Sequence, residues 1–140
     1  MKRIFYSLIL LVGLCGCSST ENAYDELPAP IAKFISEYWP NPDIDSYTQP
    51  EADEYVVIIK SGPSLTFDAD YKWTDVNGLG MPLQEMFLYD QLPTNLYDYL
   101  SEGSNLDDVF RVVRDSSKYT LTLLDTVIEY DMATGQITQT

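Results

Sequence analysis

The side chains in this sequence best suited to chemistry are carboxylates. Two clusters stand out, Asp68-x-Asp70 and Glu51-x-Asp53-Glu54. Close oxygens of this kind could hold calcium, or could pair as acid and base in a glycosidase. Neither cluster has the ligand series of a calcium loop, with its central Gly and terminal Glu, and with 22 acids in 140 residues such pairs arise without purpose. Turn chemistry accounts better for Asp68-Ala69-Asp70-Tyr71-Lys72, and a polar loop for the second cluster. There is no His anywhere, which removes Ser-His-Asp and Cys-His arrangements and every imidazole metal site. The residues therefore predict no catalytic group, no metal and no cofactor.

The remaining reactive side chains are Cys15 and Cys17. Lys2 and Arg3 precede an apolar run from Ile4 to Leu14, which is too short to span a bilayer, a crossing that takes about 20 residues. A charged head, an apolar stretch and then small residues is the layout of an export signal. Leu14-Cys15-Gly16-Cys17 resembles the bacterial lipobox. The resemblance implies cleavage after Gly16, a lipid on Cys17 and no free thiol afterwards. The expected product is a lipid-anchored protein of the cell envelope, placed at the outer membrane on its periplasmic side or at the cell surface. Residues 1–16 are then the signal and 17–26 the lipidated Cys with a polar tether.

After Cys17 the only cations are Lys33, Lys60, Lys72, Arg111, Arg114 and Lys118, six against 22 acids, for a net charge of −16. Such a field disfavours nucleic acid and anionic lipid as partners and favours basic ones. Eleven tyrosines and two tryptophans supply the side chains that dominate recognition surfaces. Most are expected inside. Tyr71, Trp73, Tyr89 and Tyr97 are the candidate binding residues for a protein or peptide partner.

The elements that must position these residues show in the patterning. Leu27-Pro28 and Leu92-Pro93 each precede apolar residues at the same spacings, Ile31, Phe34 and Ile35 in one case and Leu96, Tyr99 and Leu100 in the other. Those spacings line one face of a helix, and Pro is tolerated where a helix begins. Apolar segments at 55–59 and 65–68, and again at 119–123 and 128–131, read as strands, with earlier strands around 44–48 and 109–114. The expected fold is α+β: two tandem repeats, 27–76 and 92–140, each a short helix packed on its own three- or four-stranded antiparallel sheet, joined by a connector at 77–91.

The Leu-Pro opening, the aromatic and Pro after the helix, Tyr55-x-Val57-x-Ile59, the Gly-containing turn, Phe67-Asp68 and the following Trp73 resemble the beta-lactamase-inhibitor-like, PepSY-like family of exported bacterial proteins. The resemblance spans 27–137 and implies a non-catalytic protein- or peptide-binding domain. An alternative it implies is an inhibitor or regulator of an exported enzyme, such as a protease or beta-lactamase. Within the second half, Ile137 stands where the first has Trp73. Asp125-Thr126-Val127 resembles a short bacterial O-glycosylation acceptor, although a simple turn explains it better.

Overall fold

The computed structural model describes residues 23–140, so the expected export signal, Cys17 and most of the expected tether lie outside the described residues. A short 3-10 turn at Ala23–Glu26 leads into helix α1, Ala29–Tyr38. Pro28 precedes the helix and Pro30 lies in its first turn, where no intrahelical partner for the amide is lost. Its buried stripe is Ile31, Ile35 and Tyr38. The Pro40-Asn41-Pro42 segment prevents continuation and turns the chain into the sheet.

Eight strands follow: β1 (Ile44–Glu51), β2 (Glu54–Ile59), β3 (Ser64–Asp68), β4 (Trp73–Asn77), β5 (Val109–Arg114), β6 (Lys118–Leu123), β7 (Val127–Asp131) and β8 (Ile137–Gln139). Between β4 and β5 lie α2 (Glu85–Gln91), α3 (Thr94–Glu102) and a 3-10 turn at Leu106–Asp108. Every strand is antiparallel to its neighbour, and the spatial order is the chain order from β1 to β8.

The α+β class holds, but the two tandem repeats do not. Strand β4 pairs with β5 through Asp75↔Val113, Val76↔Val112 and Asn77↔Arg111, which closes what would have been two sheets into one. The core is equally undivided. A cross-strand row of Val57, Leu65, Val76, Val112, Leu121 and Ile128 runs through the seam, and each of its members is fully buried. The connector at 77–91 contributes α2, which buries Phe87 and Leu88 in the same core. Periodicity within a segment reports which face is apolar; it carries no information about which strand edges meet.

Alternation along the strands gives the sheet two different faces. The helices cover the face bearing the buried row. On the other, Val56, Thr66, Asp75, Val113, Thr120, Glu129 and Thr138 form a continuous cross-strand row that is polar except for its two valines. Near the seam Arg111 makes a two-pronged bond to Asp75, Nε to Oδ1 at 3.0 Å and Nη2 to Oδ2 at 2.7 Å. None of the described helices is long and apolar enough to cross a membrane.

Candidate interaction surface

Helix α2 forms because Phe87 and Leu88 supply a buried stripe, while Glu85 favours the positive N-terminal end. It stops at Leu92, whose extended backbone is the conformation favoured before Pro93. The outward side of this helix presents Met86, 58% exposed, and Tyr89, 63% exposed. Three residues apart, they are neighbours on one helix face. Tyr97 of α3 meets Tyr89 edge-on, with ring centroids 5.2 Å apart and planes at 82°. The Tyr97 hydroxyl donates to Glu85 Oε2 at 2.8 Å, and this bond is the main cause of a phenol pKa raised above the usual value. Tyr89, Tyr97, Met86 and Glu85 thus make one patch, amphipathic and acidic at its margin.

The patch rests on a fixed base. Phe87, fully buried, lies with its ring centroid 5.3 Å from Trp73, 5.7 Å from Tyr38, 6.2 Å from Trp39 and 6.3 Å from Phe34. At the end of α2, Gln91 Nε2 donates to Tyr38 Oη at 2.9 Å and Gln91 Oε1 accepts from Trp73 Nε1 at 2.9 Å. Tyr38 in turn donates to Asp90 Oδ2 at 3.0 Å. Burial raises the Tyr38 pKa, with the adjacent Asp90 carboxylate adding to the shift. Both faces of the helix end are thereby tied down, one to α1 and one to the sheet.

The four residues singled out in the sequence are not brought together. Tyr89 and Tyr97 meet. Trp73 is 2% exposed and lies beneath Arg114, so its ring belongs to the core and cannot anchor a partner. Tyr71 lies in the β3–β4 turn, half-buried, against Tyr55 at 5.3 Å. Met86 and Glu85 were not anticipated. Their signal was the i, i+3 and i, i+4 relation to Tyr89, legible only once a helix is placed at 85–91.

The carboxylate clusters serve turns. Asp68 Oδ1 accepts from the amides of Asp70 at 2.8 Å and Lys72 at 3.0 Å, and Glu51 and Glu54 flank the β1–β2 turn. No group of three or more metal-ligating Asp, Glu, Cys or His side chains occurs among the described residues. An open concavity of about 520 Å³ lies beside β6 to β8, lined by Ser117, Lys118, Glu129, Asp131 and Gln136 among others. Its one cation, Lys118, is paired with Glu129 at 3.2 Å, and Asp131 is engaged by the amides of Ala133 and Thr134.

Three solved structures are similar in fold. One is from Bacteroides thetaiotaomicron and is described as a calcium-regulated periplasmic protein; it has a TM-score of 0.67 and 18% identity, covering 84% of this chain and 92% of its own. A second, from Bacteroides vulgatus, is described as a periplasmic protein of the DUF2874 family, with a TM-score of 0.66, 22% identity and coverage of 82% and 90%. A third, also from Bacteroides vulgatus, is described as a periplasmic protein of unknown function, with a TM-score of 0.66, 16% identity and coverage of 83% and 93%. At these identities the likeness shows the fold alone. No family model matches the chain, and neither does any curated protein.

Proposed function

We propose that this chain is an exported, lipid-anchored envelope protein that binds a basic protein or peptide segment without transforming it, through the patch of Met86, Tyr89 and Tyr97. The observation that carries the reading is the Tyr89–Tyr97 pair, a rigid edge-on aromatic contact held on solvent by a helix whose other side is locked into the core. Tyr rings offer large contact area at low entropic cost, and exposed Met adapts to the partner's shape. Glu85 at the margin and the acidic field of the chain favour a cationic partner and speed its encounter.

The export signal and the Cys17 lipobox support the location, as does the periplasmic description of the three Bacteroides structures. A single acyl chain anchors only marginally, at about 0.8 kcal/mol per buried methylene, so stable residence needs the several chains a lipobox cysteine receives. The resemblance to the PepSY-like family supports a binding role in preference to a catalytic one.

The test is affinity capture with the full lipidated protein, followed by titration of the captured partner. Binding should weaken as salt rises, and Tyr89→Ala should weaken it about tenfold, the loss of one aromatic anchor of roughly 1.4 kcal/mol, without moving the melting curve. If the captured partner is an exported hydrolase that loses activity on binding, the role is inhibition. Turnover of a glycan or peptide by the purified protein, abolished by one carboxylate substitution, refutes the binding reading. Cys17→Ala should release the protein from the membrane fraction; an unchanged fraction and mature mass refute the anchor.

A further inference from the structure

Tyr47, Tyr55 and Tyr71 gather at one side of the helix-covered face, and the patch described above uses none of them. Tyr47 lies on β1, the edge strand, opposite Val57. Tyr55 is two residues before Val57 and so shares its face. The rings of Tyr47 and Tyr55 are nearly parallel, at 13° with centroids 6.5 Å apart. Tyr71 tilts against Tyr55 at 46° and 5.3 Å. All three are half-buried, so part of each remains on solvent.

Tyr71 is held there against its backbone preference. Its φ is 65°, in the left-handed region that suits Gly or Asn. The turn itself does not call for a ring. It is closed by the Asp68 carboxylate on the amides of Asp70 and Lys72, and Gly at position 71 would serve the backbone better. Residues kept in such conformations tend to mark functional positions.

The electrostatics point to the class of ligand. A tyrosine ring carries negative potential on its face and attracts a cation within about 6 Å of its centroid. Trp73 already holds a cation of this chain, Arg114, whereas no described Lys or Arg lies over the three tyrosines. The exposed carboxylate of Glu26, in the 3-10 turn beside β1, adds negative charge near Tyr47. We propose that Tyr47, Tyr55 and Tyr71 form a binding site for a small organic cation with an alkylammonium head, received against the tyrosine rings at the β1 edge.

The experiment uses the purified full chain with choline, and with its neutral isostere 3,3-dimethylbutan-1-ol, which has the same shape without the charge. Choline should shift the tyrosine ring resonances saturably and the isostere should not. Tyr47→Leu and Tyr71→Gly should each weaken choline about tenfold, while Tyr47→Phe, which keeps the ring, should retain it. Choline and isostere behaving alike in the unaltered protein, or no saturation with choline, overturns the proposal and needs no variant that must fold. Unchanged choline affinity in a folded Tyr71→Gly also overturns it.

Discussion

The guanidinium of Arg114 lies 3.8 Å from the centroid of the Trp73 ring, and its Nε donates to the Trp73 carbonyl at 2.7 Å. One side chain of β5 thus covers and bonds the first residue of β4, across the seam that makes the sheet continuous. Arg114→Ala should cost about 1–2 kcal/mol, combining a partly desolvated cation–ring contact with a charge-assisted hydrogen bond. Arg114→Lys should recover only part of this, because an ammonium cannot stack a planar fork on the indole. Urea titration gives the free energies, and tryptophan fluorescence should report the uncovered ring.

Phe87 should be the most damaging single truncation in the helical layer. Its ring is fully buried among four aromatic side chains, Phe34 and Tyr38 of α1, Trp39 just after it and Trp73 of β4, so Phe87→Ala is expected to cost about 3–5 kcal/mol. Phe34→Ala, at a half-buried position, should cost less. Comparing the two denaturation midpoints at equal m-value checks the order.

Gln91 links β4 to α1: its Oε1 accepts from the Trp73 indole and its Nε2 donates to the Tyr38 hydroxyl. Replacing it with Leu leaves the Trp73 indole N–H unpaired at a site almost closed to water, and should cost about 1–3 kcal/mol. The same change should loosen α2. Amide exchange should accelerate over 85–91 more than over β6, and equal acceleration in both would contradict the local role given to this residue.

Tyr47 makes stability sensitive to alkali. Burial, followed by the neighbouring Tyr55, Tyr71 and Glu26, pushes its phenol up to about 12 from an ordinary 10.0. The folded protein therefore holds this proton at a pH where the unfolded chain releases it. The contribution to stability is complete below pH 10 and is lost as pH rises from 10 towards 12. Absorbance titration should show a late-ionising tyrosine that disappears in Tyr47→Phe.

Asp115 gives the opposite sign at low pH. Its carboxylate accepts from the amides of Ser117 and Lys118 at 2.7 and 2.9 Å, which holds its pKa below the usual carboxylate range. Stability from this turn is present above the unfolded pKa and is lost as pH falls through the folded one. Asp115→Asn should lower stability at neutral pH and leave the acid end nearly unchanged, so that the acid limb of the stability profile below about pH 4 flattens.

Much of the local architecture was legible in the residues. The stripes Ile31/Ile35 and Leu96/Leu100 placed two helices, and alternation at 119–123 placed a strand with one wet face. The global arrangement was not legible. The β4–β5 pairing joins segments separated by two helices, and nothing in either strand's own pattern distinguishes an edge from an interior position. Helix α2 was hidden because its exposed positions, Met86 and Tyr89, are apolar enough to blur the period that Phe87 and Leu88 set. Half the patch was named from composition, through Tyr89 and Tyr97. Trp73 was misplaced because its cover, Arg114, comes from 41 residues away.

The order of the strands bears on how the chain reaches this state. Six of the seven pairings join strands linked by short turns, so the hairpins can form early with little loop entropy to overcome. Closing β4 against β5 is different, since the whole segment between Asn77 and Val109 must be gathered first. That step is the natural bottleneck. A chain stalled before it would expose two bare strand edges at once, both templates for intermolecular pairing. Docking of α2, which brings Phe87 and Gln91 onto both α1 and β4, therefore protects against aggregation as well as stabilising the finished fold.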